Sequence, residues 1–156
     1  MAEYEVVQPT LEHAQYISQH LRKSDEREIY YQSLATPEYA LERSLAYSEK
    51  CYTCLVDGVP AFMFGVSCAS LLANTGIVWM LSTPSIYKIS FGREELELMK
   101  DYVLRMLDGY TKIENYVYVG NKVSIRWLEF LGFEMDEPQP YGAFQKPFRH
   151  FEMRVS

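Results

Sequence analysis

Cysteine is scarce in this chain: Cys51, Cys54 and Cys68 are the three in 156 residues. An odd number, with no export signal, argues against a disulfide framework. Cys51-Tyr-Thr-Cys54 has redox-motif spacing. It falls in a strand-like run, however, where alternation places the two thiols on opposite faces and no helix N-terminus lowers their pKa. His13, His20 and His150 do not complete a zinc set at matched spacing, so no metal site is expected. No apolar run approaches the roughly 20 residues of a bilayer span, and no membrane association is expected. The start, Met1-Ala2-Glu3-Tyr4-Glu5, lacks a signal-peptide pattern. Positive charge is also short, with 15 Lys and Arg against 21 Asp and Glu, a formal net charge of −6. That balance argues against a nucleic-acid binder, which needs cations to displace counterions. It fits a cationic amine, a basic partner, or solubility alone.

Tyrosine is abundant, at 13 residues. It packs like an apolar side chain while offering a hydroxyl, and so suits core edges, interfaces and clefts. Without repeats or linkers, residues 1–156 read as one domain. Glu3 to Gln8 reads as a strand ended by Pro9. A helix capped by Thr10 follows, to about Lys23, with Ala14, Ile17 and Leu21 on one face. Asp25-Glu26-Arg27-Glu28 reads as a solvated turn, and Thr36-Pro37 starts a second helix. Cys51–Val56 and Val59–Ser67 form a hairpin around Asp57-Gly58, with Gly65 marking a bulge or a close backbone approach. Ile77 to Thr83 is a central strand, Ser85 to Gly92 a loop, and Arg93 to Leu107 a helix. A short strand, Tyr116 to Val119, precedes a helix from Lys122 to Leu131 stopped by Gly132. Phe133–Asp136 and Phe148–Val155 are strands, with a proline-rich loop between them. The class is α/β, with a mixed sheet built around one parallel strand–helix–strand unit.

That unit sets a helix N-terminus, Ser90-Phe91-Gly92-Arg93, beside the carboxyl end of a strand. Free N–H groups and the helix dipole favour an anion there, and Lys88 or Arg93 would add charge. Alternatively, a loop with one glycine before a helix is only a loop. Asn121 either presents its amide to a ligand or simply caps the next helix, and Ser124, one turn on, faces a cleft or solvent.

The order of elements resembles that of the GCN5-related N-acetyltransferase (GNAT) superfamily. The segment Asn121 to Phe133 looks like its fourth-helix motif: an asparagine, a small residue three on, and Gly132-Phe133 opening the next strand. The run Tyr116-Val-Tyr-Val-Gly-Asn121, with Ser124-Ile-Arg after it, is similar to acetyltransferase-like proteins of tailed phages, including small internal virion proteins. The resemblance implies a GNAT-like, mostly antiparallel sheet with a central parallel β-α-β unit and about four helices. It implies that the two parallel strands splay and admit acetyl-CoA, with Leu81, Thr83, Ser90, Phe91, Gly92, Arg93, Asn121 and Ser124 as cofactor contacts. It places the chain in a host cytoplasm or within a virion. In catalysis, a backbone N–H at Leu81 or Ser82 would polarise the thioester carbonyl, and Tyr118 or Tyr116 would serve as general acid.

The departures are specific. Of the family's loop glycines only Gly92 survives, and the usual acid tyrosine is Leu128. Three readings stay open: an acetyl-CoA-dependent N-acyltransferase, a degenerate fold kept as an interaction module, and a binder of a CoA-like or nucleotide ligand. The partner is then a small-molecule or protein amine, or another protein, with a homodimer also open.

Overall fold

The computed structural model describes residues 3–90 and 92–155. The chain runs β1 (Tyr4–Val7), α1 (Leu11–Gln19), α2 (Lys23–Ser33), α3 (Pro37–Tyr47), β2 (Ser48–Val56), β3 (Val59–Ser70) and β4 (Thr75–Ser82). A 3-10 turn (Pro84–Lys88) leads into α4 (Arg93–Leu107), β5 (Lys112–Tyr118), α5 (Lys122–Leu131), β6 (Glu134–Met135), β7 (Gln139–Tyr141) and β8 (Lys146–Arg154). The strands form one sheet in the order β1-β2-β3-β4-β5-β8-β6, with β7 against β8. Among the described residues every strand pairing is antiparallel except β4 with β5.

The sheet carries a core on each face. On one, Met99, Val103 and Met106 of α4 and Leu131 at the end of α5 pack over Phe62, Phe64, Ile113 and Val117. On the other, Ala14 and Ile17 of α1 and Leu41 of α3 pack over Cys51, Met63 and Leu81. Cys51 and Cys54 therefore do fall on opposite faces, and burial pushes each thiol up to about 12. Thr10 accepts the His13 N–H at 3.1 Å, and Thr36 accepts the Tyr39 N–H at 3.3 Å, so both expected N-caps form. Gly65 marks a close approach: a Cβ there would stand 2.6 Å from the Lys50 carbonyl and 3.1 Å from the Trp79 indole nitrogen.

The first helix ends at Gln19 rather than near Lys23, β5 begins at Lys112 rather than Tyr116, and two elements were not expected at all. Residues 25–28 are not a solvated turn but part of α2, so the described residues hold five α-helices. The reason is the unusual buried face of that helix, whose buried residues are Asp25 and Ile29. Hydrophobic periodicity cannot register a face built from a carboxylate. The proline-rich segment also forms a short strand, β7, which pairs along β8 through Gln139, Pro140 and Tyr141.

The β7–β8 turn grips α2. The Ala143 N–H donates to the Tyr31 and Gln32 carbonyls at 3.1 Å each. Gly142 sits at φ +80, and a Cβ on it would meet the Tyr31 carbonyl at 2.6 Å and the Gln32 Cα at 2.9 Å. Gly142→Ala is therefore expected to lower unfolding stability by about 1–3 kcal/mol in urea melts, through crowding and positive-φ strain together. A change within about 0.5 kcal/mol of zero would show that the turn does not press on the helix.

Candidate functional site

Strands β4 and β5 are paired only at their beginnings, Thr75 with Lys112, Gly76 with Ile113 and Ile77 with Glu114. The Asn115 side-chain amide then donates to the Val78 carbonyl at 2.7 Å, the last bridge between them. Beyond it the strands part. A cavity of about 630 Å³ occupies the split, lined among others by Met80, Leu81, Tyr116, Val117, Trp127 and Leu128. Separated parallel strands leave backbone amides without ladder partners, and such groups must be satisfied elsewhere.

Helix α2 satisfies two of them. The Ser82 N–H, at the end of β4, donates to Asp25 Oδ2 at 3.0 Å. The Tyr118 N–H, at the end of β5, donates to Glu28 Oε1 at 2.7 Å. One turn of helix separates the two carboxylates, so α2 lies as a strut with one acid on each parted strand. Its N-cap, Arg22, closes the arrangement. The Arg22 N–H donates to the Ser82 carbonyl at 2.9 Å, and its guanidinium holds both oxygens of Asp25 at 2.9 and 3.0 Å. Both side chains are buried, at 6% and 3% exposure. Burial opposes the charge on Arg22, but Asp25 more than offsets it and holds the guanidinium above its ordinary value. At Asp25, burial outweighs Arg22 and the Ser82 amide and lifts the carboxyl.

Glu28 differs from Asp25 in having no cation of its own. It lines the cavity, and its bonds to the Tyr118 N–H and, at 3.4 Å, to the Asn121 amide come from neutral donors. Burial pushes its carboxyl up to about 7, Asp25 adds to the rise, and the Tyr118 amide opposes it.

The residues expected to touch a cofactor are mostly engaged within the chain. Leu81 lines the cavity, while the Ser82 N–H is held by Asp25. Thr83 is buried; its N–H donates to Ala61 and its hydroxyl to the Pro60 carbonyl at 3.0 Å. Asn121 is buried beside Glu28, and Ser124 accepts from Arg22 at 3.4 Å. Ser90 is exposed, and its carbonyl accepts the Gly92 N–H at 3.0 Å. Phe91 lies outside the described residues. Gly92 is the N-cap of α4, as expected, but the Glu95 carboxylate accepts its N–H at 3.1 Å. Arg93 is exposed and pairs with Glu97 at 3.4 Å. Tyr118 brings its amide to the site, but its ring packs edge-on to Tyr31 at 5.1 Å and against Phe148 at 5.5 Å. Tyr116, unlike Tyr118, lines the cavity, and its ring stacks on Tyr141 at 3.8 Å. Sequence reasoning missed Arg22, Asp25 and Glu28. Their spacing of three places them on one helical face, and that was the available signal.

Comparison with known proteins bears on this geometry. A family model described as "Bacteriophage T7, probable scaffold protein Gp13" matches residues 60–137, half of the chain. The chain belongs to this family. No curated protein sequence matches it. Among solved structures, the chain is similar to a GNAT-family acetyltransferase from Streptococcus pneumoniae, at 12% identity and TM-score 0.65, covering 99% of this chain and 100% of that one. It is also similar to the ribosomal-protein-S5-alanine acetyltransferase of Vibrio fischeri, at 15% identity and TM-score 0.66, covering 97% and 92%. The aminoglycoside acetyltransferase AAC(6')-Ib, solved with coenzyme A, matches at 17% identity and TM-score 0.63, covering 97% and 95%. At these identities the likeness concerns the fold, which is that of the GNAT acetyltransferases.

Because Arg22 is buried and balanced by Asp25, Asp25→Ala is expected to cost about 3–5 kcal/mol in denaturant unfolding. A loss below about 1 kcal/mol would mean that water already screens the pair.

Proposed function

We propose that this member of the phage scaffold family is an assembly component that acts by binding another protein, on a GNAT fold that no longer performs acyl transfer. The observation that carries the reading is the double occupation of the split by Asp25 and Glu28. Acyl transfer from a thioester needs a free backbone donor to stabilise the developing oxyanion. The Ser82 N–H, the expected donor, is spent on Asp25. The anion site at the head of α4 is answered in the same way. Glu95 holds the Gly92 N–H, and with Glu94 it puts negative charge where a pyrophosphate would need positive potential. Leu128, at the place of the general acid, has no proton to give. Features of a protein-binding surface accompany these substitutions. Tyr39 and Tyr47 flank Arg43 on α3 and are 55% and 70% exposed, and tyrosine and arginine dominate binding hot spots. Leu71 and Leu72, at the β3–β4 tip, are 89% and 103% exposed.

A second reading, acetyl-CoA-dependent transfer to an amine, is favoured by the cavity itself, which lies where the parallel strands part. It requires α2 to withdraw so that Ser82 recovers its N–H, and it leaves the proton of the attacking amine to Glu28. Isothermal titration decides between the two. No heat is expected with acetyl-CoA, CoA or ATP, and the chain is expected to co-purify with assembled particles of its phage. A saturable acetyl-CoA isotherm that Gly92→Glu abolishes would overturn the assembly reading in favour of the enzyme.

A further inference from the structure

Helix α2 is attached to the sheet in a way that leaves it easy to release. Among its described residues Ile29 is the one buried apolar side chain. Its attachments to the two strand ends are hydrogen bonds, Arg22 and Asp25 on Ser82 and Glu28 on Tyr118, while its far end meets the β7–β8 turn through the Ala143 N–H and through the Tyr30 and Tyr31 rings against Phe144. The Tyr31 ring adds an edge contact to Tyr118. Elements that bury little apolar surface sit at the low end of local stability.

The charges within these attachments are unequal. Arg22 spends its bidentate pairing on Asp25. The charged groups acting on Glu28 are Asp25, which repels it, and Arg22, which attracts it weakly from within that pair. From β5 and the turn into α5 come two uncharged donors, the Tyr118 N–H and the Asn121 amide. With Glu28 protonated, Arg22 and Asp25 cancel and no net charge is enclosed. With Glu28 ionised, one uncompensated negative charge faces an apolar cavity wall, which is costly unless the group returns to water.

We propose that α2 is a strap gated by protonation: it lies across the split while Glu28 carries a proton, and loosens from β5 when Glu28 ionises, uncovering the cavity along its α2 wall. This holds whether or not a cofactor ever binds there, so it goes beyond the assembly reading and can fail independently of it.

The direction follows from the balance at Glu28. Its carboxyl is raised from 4.5 to about 7 in the closed state. A raised acid stabilises the closed state fully below the free value, and that stabilisation is lost as pH rises through the raised one. Closure is therefore strongest in acid and weakest above neutrality.

Hydrogen–deuterium exchange on the full chain at about pH 5.5 and about pH 8, corrected for intrinsic base catalysis, reads this directly. Protection of the α2 amides and of the Tyr118 amide is expected to fall about tenfold or more across that interval, with β3 unchanged. Glu28→Gln, which keeps the shape without the charge, is expected to hold α2 protected at both pH values. A wild-type α2 equally protected at both, or a Glu28→Gln chain that loses protection as the wild type does, overturns the strap. If the variant folds poorly, the wild-type profile decides alone.

Discussion

When two parallel strands separate, the amides along the gap lose their ladder, and buried amides without partners are costly. Everything distinctive in this chain follows from how it meets that demand. Asp25 and Glu28 reach across from one helix and take the Ser82 and Tyr118 N–H groups, one from each strand. Arg22 makes the arrangement tolerable by cancelling the charge of Asp25. Asp25, paired with Arg22, accepts the Ser82 N–H in a charge-assisted bond stronger than a neutral one, so the helix is held most firmly at its first turn. The same bonds convert a cleft that could hold a ligand into a cleft closed from within.

The head of α4 repeats this logic on a smaller scale. A helix N-terminus attracts an anion, and the chain supplies its own in Glu95. At the split and at the head of α4 alike, acidic side chains of the chain itself take backbone N–H groups. An overall negative balance and an internally satisfied cleft are then two expressions of one composition. The assembly reading proposed above fits that exchange. A scaffold retained for its shape does not need its amides free.

Much of the fold was legible. The Asp57-Gly58 hairpin, the Thr10 and Thr36 caps, the stripe of α4 and the Gly132 stop at φ +101 all form as their local chemistry dictates. The parallel β4–β5 pair followed from the strand–helix–strand unit, and its split from the family resemblance. What could not be read was α2. Its meaning lies in partners far along the chain, 57 residues from Asp25 to Ser82 and 90 from Glu28 to Tyr118. A buried face made of charge looks, in one dimension, like a solvated turn. Ser82, Tyr118 and Asn121, expected at the site, do gather at the split, and the three α2 side chains that bond there were not among the residues expected.

The ends of the sheet carry a final consequence. One border is β1, four residues long, with Glu5 inside it, Glu3 before it and Pro9 shortly after; the other is shared by β6, two residues long, and β7, three residues long. Neither offers the long, flat, unpaired border on which a neighbouring molecule could nucleate a cross-β stack. Truncated, acid-flanked borders let the chain crowd without fusing into fibrils, and leave its associations to side chains rather than to exposed backbone.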